Sequence, residues 1–149
     1  MDEKKYEALC FRAKAGDILL KITRSEMEIG MKNVLFIASE AVPFIKTGGL
    51  ADVVGALPKY FNKDEFDVRV MIPKYTCIPW EYREKMVYKT HFYIDLAWRT
   101  QYVGVFEMEY QGVTFYFIDN EFYFSGPKPY SWIHEDIEKF AFFSKAALS

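Results

Sequence analysis

The stretch Ile45-Lys46-Thr47-Gly48-Gly49-Leu50-Ala51-Asp52-Val53 decides how the rest of the chain is read. Ahead of it runs the apolar segment Val34-Leu35-Phe36-Ile37-Ala38, and after it Leu50, Val53, Val54, Leu57 and Phe61 recur at helical spacing. The order is strand, loop, helix, with two glycines at the helix entrance and a lysine two residues before them. The first N–H groups of a helix have no partner inside it, and the aligned peptide dipoles make that end positive. An anion fits such an entrance. Glycine lets a ligand reach the backbone where a Cβ would collide, and Lys46 adds a mobile cation. The pattern suits a phosphorylated ligand.

Two familiar phosphate motifs do not fit. A P-loop carries its lysine after the second glycine, whereas Lys46 precedes Gly48. The dinucleotide fingerprint has three spaced glycines directly after the strand, whereas Gly48 and Gly49 come late, beyond Pro43. On spacing alone, a tight turn with a solvated Lys46 explains the segment as well as a phosphate cradle does.

The surrounding sequence gives this motif one globular setting. A chain of 149 residues, half hydrophobic and 19% aromatic, has the material for a packed core and none of the signs of disorder. The formal charge of −2, with acids and bases interspersed, builds no basic stripe, so neither nucleic acid nor an anionic membrane surface is expected as a partner. Cys10 and Cys77 form no Cys-x-x-Cys pair, and His91 and His134 lie far from both and from each other. No disulfide framework and no metal site is therefore expected. No stretch is long enough for a membrane helix and the N-terminus lacks an apolar signal region, which points to a cytoplasmic protein.

Along the chain, residues 1–30 read as an extension of unknown role. They are charge-rich, with Ile18-Leu19-Leu20 as their one compact apolar run and a short amphipathic helix possible over Tyr6–Ala15. From residue 31 the pattern becomes α/β. Asn33–Ala38 and Val68–Ile72 read as buried parallel strands, joined by a helix over Gly49–Phe61 that Pro58 bends or ends early. Met86–Leu96 and Gln101–Tyr110 alternate as strands of a hairpin turning at Ala97–Thr100, and Gln111-Gly112 turns the chain into Val113–Ile118. These three strands form an antiparallel excursion inserted in the α/β order. Ser125–Tyr130 is a loop, and a last helix begins near Ile133, with Glu135 and Asp136 in its first turn and a buried face of Ile133, Ile137, Phe140, Ser144 and Leu148. No Gly cap or strand follows it, as expected of a layer that continues past Ser149. An unpaired sheet edge prone to association is expected as a result.

The string Ala38-Ser39-Glu40-Ala41-Val42-Pro43-Phe44-Ile45-Lys46-Thr47-Gly48-Gly49-Leu50-Ala51-Asp52-Val53-Val54-Gly55-Ala56-Leu57-Pro58 closely resembles the N-terminal signature of bacterial glycogen synthases and plant starch synthases. Trp98-Arg99-Thr100-Gln101-Tyr102, Phe117-Ile118-Asp119-Asn120-Glu121 and Glu138-Lys139-Phe140-Ala141-Phe142-Phe143-Ser144 follow in family order, so the resemblance runs from about Met31 to Ser149. It implies residues 31–149 of a Rossmann-like N-terminal domain in a GT-B glycosyltransferase, without the C-terminal domain. The reaction it implies is transfer of glucose from ADP-glucose to the non-reducing end of an α-1,4-glucan, with retention and with no metal or other cofactor. UDP-glucose is the alternative donor.

The same resemblance implies donor contacts for Lys46, Gly48 and Gly49. Asp52 is either a sugar contact or a complement to the helix dipole, and Glu40 is expected to hold the loop. Glu135 stands where relatives usually carry aspartate and Ser131 where they carry glycine, so no role is carried over to either. Trp98 and Arg99 suit structure or glucan contact equally, and His91 reads as a surface or packing residue. No catalytic residue falls within the chain, so it is expected to be inactive alone. The other reading is a non-catalytic module that binds a sugar nucleotide or phosphate.

Overall fold

The computed structural model describes residues 19–23 and 31–149. In chain order the elements are β1 (Leu19–Thr23), β2 (Lys32–Ile37), α1 (Gly49–Ala56), a 3₁₀ turn (Leu57–Tyr60), β3 (Phe66–Pro73), α2 (Trp80–Arg83), β4 (Val87–Leu96), β5 (Arg99–Tyr110), β6 (Val113–Asp119), α3 (Glu121–Phe124) and α4 (Ile133–Ala147). They form one six-stranded sheet in the order β1-β2-β3-β6-β5-β4. β2, β3 and β6 are parallel, with Phe36 beside Val70 and Val70 beside Phe115. β5 and β4 continue the sheet as an antiparallel hairpin, and β1 lies antiparallel on the outer edge of β2. The α/β expectation with an inserted antiparallel segment holds, but β6, expected as the third strand of that excursion, also pairs parallel with β3 and joins the parallel core, and the short α2 and α3 are additions.

Parallel strands are normally covered on both faces, which is why β2, β3 and β6 are largely apolar toward their carboxyl ends. Alternation puts Val34, Phe36, Val70, Ile72, Phe115 and Phe117 on one face, here called the front, and all six are buried. Phe44, from the loop after β2, inserts there edge-on to Phe115 and Phe117, with centroids 4.8 and 5.0 Å away. Phe61 closes the lower end against Phe36 at 5.9 Å. The back face carries Ile37, Ile118, Val103 and Ile94, also buried. α4 lies on this back face, where Glu138 pairs with Arg99 of β5 and Phe142 stacks on Tyr123 at 4.6 Å.

Two expectations about helix faces are corrected. The helix expected over Gly49–Phe61 is α-helical only to Ala56 and tightens into the 3₁₀ turn, with Pro58 at its second position. Its inner side is Ala51, Val54, Gly55 and Pro58, while Val53 and Leu57 of the expected stripe are exposed. In α4 the expected buried face is largely the outer one: Ile133, Ile137, Ser144 and Leu148 are exposed and Phe140 is partly so. The sheet side is Lys139, Phe142, Phe143 and Ala146. Two adjacent phenylalanines bury more apolar area than the spaced aliphatics, and they meet Tyr123 and Phe124. Lys139 tolerates burial because its Nζ donates to Asp136 Oδ1 at 2.7 Å and to the Pro129 carbonyl at 2.9 Å.

The hairpin turns in two residues, Ala97 and Trp98, and Ala97 takes a left-handed φ of 56°. It is therefore tighter than the expected Ala97–Thr100 connection. The outer edge of β2 is paired with β1, which arises from the apolar run seen in the extension. The expected Tyr6–Ala15 helix lies outside the described residues.

Candidate functional site

The three parallel strands all end at one edge, at Ile37, Pro73 and Asp119. Open α/β sheets bind ligands in the crevice beyond such carboxyl ends. The loop from Ala38 to Gly48 runs along this edge into α1. It is held by an Ala41–Ile45 bridge and by the Val42 N–H, which donates to the Ala51 carbonyl at 3.1 Å. This close approach needs a glycine that the sequence reading did not single out. A Cβ on Gly55 would sit 2.3 Å from Val42 Cγ2 and 2.6 Å from the Val42 carbonyl oxygen. Gly55 is thus a packing residue.

Gly48 and Gly49 differ from it. A Cβ on Gly48 would make only an ordinary 3.9 Å contact with Glu40 Oε1, and one on Gly49 would meet nothing within 4 Å. Neither has a positive φ. The fold therefore asks for glycine at neither position, and the space over the entrance of α1 is open. Glu40, buried at 3% exposure, accepts hydrogen bonds from the Thr47 N–H at 2.5 Å and from Thr47 Oγ1 at 2.7 Å. These fix the backbone just ahead of the helix, which is the loop role expected for Glu40.

Lys46 reaches the first turn of α1 through Asp52. Its Nζ lies 2.7 Å from Asp52 Oδ2 and 2.8 Å from Oδ1, and both side chains are about half exposed. Asp52 is in the first turn of α1, where a carboxylate is favoured by the dipole. The structure thus brings together all four residues singled out from sequence, Lys46, Gly48, Gly49 and Asp52. The ion pair itself was not foreseen, because a loop residue and a helix residue six apart share no periodic signal.

Other groups join this edge. Ser39 Oγ and the Tyr130 hydroxyl are 2.7 Å apart, tying the loop after β2 to the loop before α4, and burial first, then Glu40, pushes the Tyr130 hydroxyl pKa up. Tyr75 follows β3. Its hydroxyl is buried without a partner among the described residues, and burial holds its pKa far above the ordinary value. It borders a cleft of about 490 Å³ with Phe122, Lys128, Ser131 and Glu135. Glu135 is exposed; the carboxylate that anchors the start of α4 is Asp136, which accepts the Ser131 N–H at 3.0 Å. Burial opposes ionisation of Asp136, but hydrogen bonds from Lys139 and Ser131 outweigh it and its pKa is lowered. Trp98 is 88% exposed at the hairpin tip, Arg99 is engaged by Glu138, and His91 is exposed beside Tyr88. Among the described residues, no three His, Cys, Asp or Glu side chains come together as a metal site.

The model of the family described as "Starch synthase catalytic domain" matches residues 33–149. The chain belongs to this family. It is 91% identical over 119 residues to a glycogen synthase of Lachnospira eligens, a match covering 80% of this chain and 25% of that protein. A glycogen synthase of Lachnoclostridium phytofermentans is 67% identical over the same length and shares. Among solved structures, the catalytic domain of starch synthase IV from Arabidopsis thaliana, bound to ADP and acarbose, superposes with a TM-score of 0.59 at 26% identity, over 75% of this chain and 23% of that one. The chain thus spans about a quarter of the length of the curated relatives it matches, and its fold is part of the GT-B catalytic domain of this family.

Proposed function

We propose that the chain forms the donor-phosphate side of a retaining glucosyltransferase that moves glucose from ADP-glucose to the non-reducing end of an α-1,4-glucan. The observation that carries this reading is the entrance of α1: two glycines that packing does not require, open space above them, and an ammonium group over the same turn. The N–H groups of the first turn and Lys46 would stabilise the charge that grows on the departing diphosphate. Asp52 positions the ammonium group in the absence of ligand and releases it toward phosphate, which is the stronger acceptor set. The relatives named as glycogen synthases and the ADP bound to the starch synthase IV domain support this choice of donor and acceptor. The chain spans about a quarter of the relatives named, and the part of the reaction assigned to it is donor binding. No helix among the described residues is long and apolar enough to cross a membrane, and a cytoplasmic setting suits the free Cys77.

Isothermal titration with ADP-glucose tests the reading. A charge-assisted hydrogen bond from Lys46 is worth about 1.5–3 kcal/mol, so Lys46→Ala should weaken binding roughly 10- to 150-fold. Unchanged affinity in Lys46→Ala, or no affinity for ADP-glucose in the parent chain, would refute it.

A further inference from the structure

Part of the front face is left uncovered, and it is built of aromatic rings. Phe44 and Tyr82 of α2 cover the front as far as Tyr110 and Phe117. Phe106 pairs with Phe117 across β5 and β6 and so shares that face. Two-residue steps along β5 bring Gly104 and Tyr102 to the front, and pairing with β4 sets His91 opposite Gly104 and Tyr93 opposite Tyr102. Here the face is open: Tyr93 is 63% exposed, Tyr88 49%, and His91 is exposed as well. These rungs are level with the carboxyl edge of the sheet, since Gly104 also pairs with Asp119, the last residue of β6.

The rings have a defined arrangement. His91 and Tyr102 lie near-parallel, 5.7 Å apart at 27°, and form a floor. Tyr93 stands edge-on to both at 6.0 Å, at 86° and 73°, as a wall. Tyr88 closes the lower end, its hydroxyl 2.6 Å from His91 Nδ1. Gly104 makes room for the floor: a Cβ there would lie 2.7 Å from the Tyr102 hydroxyl and 3.1 Å from Tyr102 Cε1. Cross-strand aromatic pairs stabilise a hairpin by themselves, but a glycine inside a strand weakens it, so hairpin stability alone does not account for laying Tyr102 over Gly104. The cations beside this face are already paired. Lys74 lies over Phe106 at 4.2 Å and pairs with Asp119 at 3.1 Å, and Lys89 pairs with Glu107 at 3.1 Å. What remains is ring faces, phenolic hydroxyls and an imidazole, a surface suited to an uncharged ligand with apolar faces and a rim of hydroxyls.

We propose that the front of the β4–β5 hairpin is a binding platform for an α-1,4-glucan chain, separate from the donor entrance of α1. The choice of a glucan rests on the glucosyltransferase reading above, whose acceptor is a polymer. The choice of linkage comes from the ring angles. A β-1,4-glucan is a flat ribbon and stacks on rings that share a plane, whereas an α-1,4-glucan curves, and a floor and wall near a right angle meet successive sugars of a curved chain. The C–H faces of the sugars rest on Tyr102 and Tyr93, and the tyrosine hydroxyls at the rim bond those of the sugar. A chain held here has its ends near the carboxyl edge, which raises their effective concentration at the site.

The test titrates the 149-residue chain with maltohexaose and with cellohexaose, by calorimetry and by saturation transfer from tyrosine ring protons to the sugar. Maltohexaose should bind and receive saturation. Cellohexaose, which can meet only one of the two ring planes, should bind roughly three- to tenfold more weakly. His91→Ala and Tyr93→Ala replace exposed side chains, so both should keep the circular-dichroism spectrum of the parent. Each should weaken maltohexaose binding roughly three- to tenfold, and the double variant should abolish it. Titration with ADP-glucose separates this proposal from the reading it rests on. The double variant should bind ADP-glucose like the parent, and Lys46→Ala should bind maltohexaose like the parent. A chain that binds maltohexaose on these residues but not ADP-glucose would sink the donor reading and leave the platform standing. Absence of maltohexaose binding to the parent, equal affinity in the double variant, or equal affinity for cellohexaose would overturn the platform. So would self-association in sedimentation that the double variant removes while maltohexaose does not bind, since the face would then be a contact between copies.

Discussion

Replacing each of Gly48, Gly49 and Gly55 with alanine separates glycines kept for packing from those kept for a ligand. At Gly55 the new methyl would lie 2.3 Å from Val42 Cγ2 and 2.6 Å from the Val42 carbonyl oxygen. The side chain can rotate away, but the carbonyl belongs to the backbone that the Ala51 hydrogen bond holds in place. Overpacking of this kind costs about 1–3 kcal/mol, and the better helix propensity of alanine returns at most about 1. Gly49→Ala meets nothing within 4 Å and should be neutral to stabilising by up to about 1 kcal/mol. Gly48→Ala, with its 3.9 Å contact to Glu40, should lie close to neutral. The Gly49 and Gly55 variants should therefore differ by about 2 kcal/mol, or roughly 4–8 °C in melting temperature for a chain of this size. Circular-dichroism melts give the stability order and titration with ADP-glucose gives the affinity order, and the two should be opposite. Gly55→Ala should bind normally while folded, whereas Gly49→Ala should lose at least tenfold in affinity without losing stability. A destabilised Gly49→Ala, or one that binds ADP-glucose like the parent, would refute the reasoning.

Three further outcomes are expected. Lys139→Met should destabilise by about 2 kcal/mol in urea titration, because Asp136 loses a charged partner but keeps the Ser131 donors. Since the folded-state pKa of Asp136 is lowered, its contribution is present at neutral pH and fades as pH falls from the ordinary carboxylate range through that lowered value. The stability gap between parent and Asp136→Asn should accordingly be widest near pH 7 and narrow toward pH 3, and a constant gap would contradict stabilisation of the carboxylate by Lys139 and Ser131. Trp98→Ala, at a fully solvated hairpin tip, should leave stability within about 0.5 kcal/mol and leave ADP-glucose affinity unchanged, as measured by melting and titration.

What could be read from residues and what could not divide along physical lines. β2 and β3 announced themselves as largely apolar runs suited to buried parallel strands, and the Gln111-Gly112 turn because it needs backbone of positive φ, observed at 51° and 73°. The parallel pairing of β6 with β3 was not legible, because the turn before it signals only the antiparallel partner β5. The entrance of α1 was legible for a related reason: glycines at a helix entrance next to a lysine form a local pattern. The face of α4 was not legible. Apolar side chains occur around much of its circumference, and which side meets the sheet depends on Tyr123 and Phe124, a dozen or more residues away in sequence. Gly55 was passed over because its reason is tertiary: the backbone of Val42 occupies the space that a side chain there would need. The Lys46–Asp52 pair and the Ser39–Tyr130 contact were out of reach for the same cause, since 6 and 91 residues separate their partners.

The loop between β2 and α1 shows why the site can be both open and well defined. An exposed lysine and two glycines would ordinarily be mobile, since glycine loses the most backbone freedom on ordering. Here that freedom is removed from both sides. Upstream, Glu40 is buried and spends its carboxylate on the N–H and hydroxyl of Thr47; downstream, Gly55 lets α1 approach Val42 closely enough for the Val42–Ala51 hydrogen bond. Residues 46–49 are thereby held at their ends while their own surface stays solvent-facing. A phosphate arriving there meets N–H groups already oriented by the helix, so little ordering remains to oppose binding. Glu40 is thereby a positioning residue that needs no contact with the ligand. Both Thr47 donors go to Oε2, so Glu40→Leu, which keeps similar bulk, removes the one oxygen that accepts them. It should weaken ADP-glucose binding severalfold and increase exchange of the Thr47 and Gly48 amides together. Weaker binding with unaltered amide exchange would instead mean that the carboxylate acts on the ligand directly.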